Sequence, residues 1–484
     1  MKRPSIRLAV SSLGASLLAA SFSTPQPVAA QTARRPAPAY VPGELLVKFS
    51  GSATGQSIFM ANRRVGARAT ERLSDNGWQR ISLRPGMSMA AAAASYRARR
   101  DVAAVEPNYI WQPLKTPNEP AFAQQYALSR ISAPAAWDAS VGSANVVVAV
   151  IDTGIDYNHE DLRDNMWRNP GEVAGNGVDD DGNGFVDDVY GIDALNNDSD
   201  PLDDDDHGTH IAGIIGAAGN NGKGIAGVNW SVHIMALKFS GVDGGSTADA
   251  IRCFNYVTMM KQRGINIRAT SNSWGGSGFS QALKDAMDAA SNAGIINVCA
   301  AGNAGTSEDL APSYPGSFDS PGIISVTASN EADNPAPFSN YGARNVDIAA
   351  PGVSILSTVR GESLYAFFSG SSMAAPHVAG AAALLASVNG ALSVADLKNI
   401  LLRSADVLPQ WTGKVASNGR LNLARALAGD LSALPVSPPV EVPPAAAPVT
   451  APPKKGKKPR KPRVPKKPRN AYAFQLREQQ SSAV

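Results

Sequence analysis

The chain has 484 residues, of which 44% are apolar and 18% charged, enough for one large folded domain plus smaller pieces. Its formal net charge of +3 is unevenly spread: residues 113–453 carry 18 Lys+Arg against 35 Asp+Glu, residues 31–112 carry 12 against 5, and residues 454–484 carry 11 against 1. The part long enough to fold is therefore acidic, which excludes nucleic acid as the expected partner.

The chain opens with Lys2, Arg3 and Arg7, an apolar run through Leu17-Leu18-Ala19-Ala20, and the small-residue site Val28-Ala29-Ala30. This pattern predicts a secretory signal peptide over residues 1–30 and a secreted or cell-surface protein. The apolar run is broken by serines and too short to span a bilayer, so no transmembrane segment is expected. A Pro/Ala linker follows. The run Val41–Phe49 then reads as a strand, with a helix near Ser57–Val65, a strand at Trp78–Leu83, an alanine-rich helix at Met89–Arg99 and a strand at Val102–Ile110. Two helices and three or four strands predict a small α+β unit within residues 31–115. Its positive charge complements the acidic segment that follows.

Residues 116–430 alternate strands and helices. Val146-Val147-Val148-Ala149-Val150-Ile151 is a largely β-branched run suited to a parallel strand buried on both faces, and it ends in Asp152-Thr153-Gly154. Segments at His233–Phe239, Thr247–Lys261, Arg268–Trp274, Ser280–Ala293, Ile295–Ala301 and Ile323–Ala328 continue the alternation. The expected fold is α/β, a mostly parallel sheet with helices on both faces. Sites in such sheets lie beyond the carboxyl ends of the strands, where Asp152, Trp274 and Asn303 fall. Ser369 to Gly380 is a small-residue turn running into a helix, with Ser371 or Ser372 expected to cap the helix that Met373 begins and Pro376 expected in its first turn. Helices at Ser393–Leu402 and Arg420–Leu427 close the domain. Cys253 and Cys299 are the only cysteines, and either a disulfide or two buried thiols is compatible with their settings. Residues 431–484, with the run Lys454 to Arg469, cannot bury a core and are expected to be extended. The basic tail suits an anionic surface; a solvated or trimmed tail is the other reading.

Asp152-Thr153-Gly154, then His207-Gly208-Thr209-His210-Ile211-Ala212-Gly213, then Ser371-Ser372-Met373-Ala374-Ala375-Pro376-His377 together resemble, in order and context, the subtilisin-like serine proteases (subtilases) from about Asn118 to Leu427. The resemblance implies a serine endopeptidase acting on protein or peptide substrates. In it Ser372, immediately before Met373, is the nucleophile, His207 the base and Asp152 the carboxylate that orients the base. Ser371 stands where the family usually has Thr. Val298 to Gly305 resembles the segment carrying the family's oxyanion-hole Asn, here Asn303, while Ser273, Trp274 and Gly275 resemble the strand that pairs with substrate and Ala301 and Gly302 the wall of its pocket. The preceding α+β unit resembles the family's propeptide, which assists folding and then inhibits until it is cut away; the junction is expected within residues 113–130.

Asp179 to Asp188 places oxygen ligands at alternate positions around Gly182, as a calcium loop requires, and Asp179, Asp181, Asn183 and Asp187 are its expected Ca²⁺ ligands. Tyr190 replaces the Glu of a complete EF-hand, and a solvated acidic loop is the competing reading. Asp161 and Asn221 resemble positions that ligate a second calcium in the family. His159, His210 and His377 match structural positions. An α/β-hydrolase is excluded because Ser372 lacks the Gly-x-Ser-x-Gly context, and a zinc protease because His-Glu-x-x-His is absent. A surface-binding protein with a vestigial protease domain is the rival from another class; the complete Asp, His, Ser and Asn set argues against it.

Overall fold

The structure, a computed structural model, describes residues 40–110, 115–361 and 364–429. The expected signal peptide, the Pro/Ala segment up to residue 39 and the basic tail lie outside the described residues.

The first folded unit is a four-stranded antiparallel sheet in the order Ala67–Arg72, Trp78–Leu83, Tyr40–Phe49, Val102–Tyr109. Alternate residues Leu45, Val47 and Phe49 of its long strand are buried, and they meet Ala92, Ala93 and Tyr96 of the helix Met89–Arg97. This is the period-2 pattern of a sheet with one covered face. The Tyr96 hydroxyl donates to Asn62 Oδ1 at 2.7 Å, tying that helix to Gly55–Arg64. The strand Ala67–Arg72 is absent from the sequence reading because five of its six residues are exposed and it carries no apolar alternation. It is a charged edge strand, held by its neighbour's register rather than by burial.

The second unit is built on a nine-stranded sheet in the order Asp406–Val407, Gly419–Arg420, Ile348–Pro351, Ile323–Ser329, Ile296–Ala300, Ile267–Asn272, Gly142–Asp152, Ser231–Lys238, Gly191–Asp193. All its pairings are parallel except that of the two-residue edge strand Asp406–Val407. The apolar run of the Asp152 strand divides between two cores. Val146, Val148 and Val150 pack with the helix Ser371–Val388 on one face, while Val147, Ala149 and Ile151 pack with the helices Thr247–Gln262 and Gln281–Asn292 on the other. A strand covered on both faces has no polar side to show, which is why its sequence does not alternate.

The Asp152 strand pairs with Ser231–Lys238 on one side and Ile267–Asn272 on the other, so the chain order reverses beside it. In open α/β sheets that reversal opens a crevice at the carboxyl ends. Among the described residues only the helix Ser371–Val388 is long and apolar enough to cross a membrane, and it is the buried core helix of this unit. Cys253 and Cys299 are buried free thiols on a helix and a strand.

Two local expectations are corrected. The core helix begins at Ser371, with Gly370 as N-cap, so Ser371 and Ser372 are its first helical residues rather than caps. Pro376 consequently lies in the second turn. A proline there has no N–H for the carbonyl four residues earlier, that of Ser372. The freed Ser372 carbonyl accepts the Ser273 hydroxyl at 2.8 Å instead.

Candidate active site

Three segments converge beyond the carboxyl ends of the parallel strands. Asp152 is the last residue of its strand and is buried; its Oδ1 accepts the Thr153 amide at 2.9 Å and meets His207 Nδ1 at 2.7 Å. The approach of His207 depends on glycine. A Cβ on Gly208 would lie 2.0 Å from the Gly154 carbonyl oxygen, so the His207 helix and the turn after Asp152 touch backbone to backbone. The Gly208 amide then donates to Thr153 Oγ1, whose hydroxyl donates to Asp203 Oδ1 at 2.8 Å. Asp203 Oδ2 accepts the Thr209 amide at 2.9 Å, capping the helix that His207 starts.

The charge balance at His207 follows. Burial alone disfavours imidazolium, but the Asp152 carboxylate, by charge and hydrogen bond, with Asp205 and Asp203 behind it, outweighs burial and leaves the imidazole pKa above its ordinary value. Asp152 Oδ2 is buried without a hydrogen-bond partner, so the carboxylate's two contacts, the Thr153 amide and His207, both fall on Oδ1.

Ser372 is part-exposed at the second position of the core helix, where backbone N–H groups lack intrahelical partners. Its hydroxyl donates to the Ser273 carbonyl at 3.2 Å, and no hydrogen bond joins it to His207 among the described residues. Asn303 is exposed in the loop after Ile296–Ala300, and its Oδ1 accepts both the Ser371 amide at 2.8 Å and the Ser371 hydroxyl at 2.9 Å. An amide N–H can only donate, so this pair fixes the carboxamide orientation and leaves Nδ2 free as a donor beside Ser372. The Ser371 hydroxyl also accepts the Gly302 amide at 3.0 Å, so the residue at the family's Thr position anchors the loop by three bonds, two of them through its hydroxyl.

Along the expected substrate strand, Ser273 is buried against Ser372, Trp274 Nε1 donates to the Ile151 carbonyl at 2.9 Å, and Gly276 pairs with Tyr314, leaving Gly275 exposed between them. Gly302 is half-buried at the pocket side. Ala301 departs from expectation: only 1% exposed, it packs with Val346, Ala349 and Trp411. Successive residues of an extended segment face opposite ways, so Ala301 supports the wall from behind.

The acidic loop is regrouped. Asp179 and Asp181 are joined by Glu172, their carboxylate oxygens all within 4.8 Å of one another. Arg263 lies 3.2 Å from Asp181 Oδ1 and balances part of that charge. Asp187 instead accepts the amides of Gly175, Asn176 and Gly177, and Asn183 Nδ2 donates to Asp181 and Asp188. Oxygen-only donors carrying three negative charges fit a hard divalent cation such as Ca²⁺. At the second place, Asn221 Nδ2 donates to Asp161 Oδ1 at 2.7 Å and the Asn221 amide to Glu119 Oε1 at 2.9 Å, while Glu119 Oε2 is buried without a partner. A buried orphan carboxylate oxygen beside Asp161 fits a cation there too. Glu119 and Glu172 escaped the sequence reading because each stands well outside the loop it joins; an isolated carboxylate in the Asn118-Glu119 connector was the available signal for the first.

A serine at the start of a buried helix and an imidazole bonded to a buried carboxylate both stand at the carboxyl end of a parallel sheet, groups of the kind that serine-protease chemistry uses. Residues 143–428 match the subtilase family, and residues 26–108 match the fervidolysin N-terminal prodomain. A thermophilic serine proteinase from a Bacillus strain is 34% identical over 80% of this chain and 88% of its own length. Thermitase from Thermoactinomyces vulgaris is 38% identical over 64% of this chain and 99% of its own. A solved protease structure from Pseudoalteromonas arctica superposes with a TM-score of 0.53 at 29% identity, covering 65% of this chain and 99% of that one. The chain belongs to the subtilase family and is a subtilisin-like serine protease with an N-terminal prodomain.

Proposed function

We propose that the protein is a secreted endopeptidase, made as a self-inhibited precursor, that hydrolyses peptide bonds through Asp152, His207 and Ser372. The observation that carries this reading is the 2.7 Å bond between His207 Nδ1 and Asp152 Oδ1. With Nδ1–H donated to the carboxylate, Nε2 is the lone-pair nitrogen and acts as general base. The Ser372 hydroxyl turns from Ser273 to His207, gives up its proton and attacks the scissile carbonyl. The oxyanion that forms accepts Asn303 Nδ2–H and the Ser372 N–H. His207 then protonates the leaving amine, and water repeats the sequence on the acyl-enzyme.

The chain divides into a signal peptide at 1–30, a propeptide at 31–115, a catalytic domain at 116–430 and a tail at 431–484. The propeptide, with 12 Lys+Arg against 5 Asp+Glu over residues 31–112, is matched in charge to the acidic catalytic domain it inhibits. Glu172, Asp179 and Asp181 hold one Ca²⁺, and Asp161, Glu119 and Asn221 a second. The ions supply fixed positive charge that ties surface loops to the domain.

Expression of the chain with and without Ser372→Ala, followed by mass measurement of the secreted products, tests the reading. Wild type losing the segment before about residue 116 while the variant keeps it is the expected result. Retention of that segment by both, with no reaction of either with a fluorophosphonate, overturns it.

A further inference from the structure

Asp206, the residue before His207, has φ of 86° and ψ of −20°. This is the left-handed region, in which a side chain is strained and which glycine enters freely, although aspartate tolerates it better than most residues. Asp206 also occupies the N-cap position of the His207 helix, where an aspartate ordinarily keeps extended backbone angles and caps the helix with its own carboxylate. Here it makes no such bond. Asp203 caps in its place, accepting the Thr209 amide.

The Asp206 carboxylate is turned to Arg360 instead. Its Oδ1 accepts the Arg360 backbone N–H at 3.1 Å and the Arg360 Nε–H at 2.9 Å. The two residues are 154 positions apart in sequence, and each side chain is about one-third exposed. An ion pair so exposed contributes little to stability by itself. A backbone donor and a guanidinium donor converging on one oxygen do something more specific, holding the Asp206 side chain in one direction relative to a separate segment. From the other end of the loop Lys238, only 2% exposed, donates to the Leu202 carbonyl at 3.0 Å and pairs with Asp204 at 2.9 Å. The run Asp203 to Asp206 is therefore fixed residue by residue, and the strained member is the one that hands the chain to His207.

The geometry points to Asp206 and Arg360 as positioning residues for His207: the clamp stabilises the left-handed turn that aims the imidazole at Asp152. Strain held in place by a distant partner beside a reacting group is the situation in which backbone conformation serves function. The inference rests on the reading of His207 as the base.

It makes a prediction that a merely structural ion pair does not. Arg360→Ala keeps the backbone N–H but removes the guanidinium donor, which lets Asp206 relax and displaces His207, so kcat falls by about tenfold or more, since a displacement near 1 Å can cost about 10²-fold. KM for a peptide p-nitroanilide stays within about twofold. Asp206→Gly adopts the same turn without help, so adding Arg360→Ala to Asp206→Gly lowers kcat by less than about twofold. Arg360→Lys, which keeps a charge but not the Nε–H donor, falls between. The four variants and wild type are compared at a pH on the plateau of the rate profile, with active enzyme counted by endpoint fluorophosphonate titration so that unfolded chains do not enter. Rescue of the Arg360→Ala loss by Asp206→Gly is the expected result. An Arg360→Ala enzyme equal to wild type, or an equal loss in both backgrounds, overturns the clamp while leaving the serine-protease reading intact. A wild-type chain that does not react with the fluorophosphonate overturns that reading, and the clamp with it.

Discussion

Gly208→Ala tests how closely the His207 helix must approach the turn after Asp152. An ideal Cβ at Gly208 would lie 2.0 Å from the Gly154 carbonyl oxygen, against at least 3.4 Å for ordinary contact, so the backbones must separate by about 1.4 Å. The obstacle is backbone, which cannot rotate away, and Gly154 is itself pinned: its φ is +103° and a Cβ there would lie 2.6 Å from the Pro201 carbonyl. Overpacking of this kind costs about 1–3 kcal/mol of stability. Displacement of the imidazole by about 1 Å costs about 10²-fold in rate, or about 2.7 kcal/mol of barrier. The assay is kcat on a peptide p-nitroanilide, normalised to titrated active sites, across pH. The variant should show kcat about 10²-fold lower with KM little changed, and the pH at which activity rises should fall, because His207 loses part of the interaction with Asp152 that holds its pKa above the ordinary value. A folded variant with kcat within threefold of wild type and an unmoved profile would refute the close-approach argument.

Ser371→Ala removes one of the two donors to Asn303 Oδ1 and the acceptor of the Gly302 amide, so kcat should fall about tenfold with KM unchanged, while Ser371→Thr keeps both bonds and stays near wild type. His210 and His377 are held neutral by burial, their pKa values pushed down to about 3 and about 4. The unfolded chain protonates both near 6.5, so it binds more protons than the folded chain below that pH, and stability falls on acidification by up to about 2.7 kcal/mol per pH unit. Urea midpoints of the inactive Ser372→Ala chain between pH 6.5 and 5 should decline accordingly, and His210→Gln should roughly halve the slope; an unchanged slope contradicts the assignment. Calcium should raise Tm of the same inactive chain, chelation should reverse the gain, and Glu119→Gln should shrink it; equal calcium shifts in both chains would remove Glu119 from the ligand set.

The sheet and its helices were legible because burial on both faces leaves a direct mark: a run such as Val146 to Ile151 has no polar member, and the helix after Ser372 is apolar all round. The charged strand Ala67–Arg72 left no such mark. Asp152, His207, Ser372 and Asn303 could be singled out because the short motifs around them resemble those of the subtilase family. What sits on those contexts from afar could not be. Glu119 reaches Asn221 across 102 positions and Ser273 reaches Ser372 across 99, and no local pattern encodes either pairing. In the acidic loop the legible part was Asp179 and Asp181, and Glu172 was not legible. Spacing shows which oxygens alternate but not which backbone amides they accept, such as those of Gly175 to Gly177 at Asp187.

The Ser273 and Ser372 pairing determines how placement errors propagate through the site. Each residue gives its hydroxyl to the other's carbonyl, and the bond from the Ser273 hydroxyl exists because Pro376 withdraws from the Ser372 carbonyl the amide that a helix would normally supply. Ser372, the proposed nucleophile, is thus gauged directly against the strand expected to receive substrate, not through the intervening sheet and helix. A single proline, by omitting one donor, gives the helix end a lateral reference point where an ordinary helix would have only an axial one.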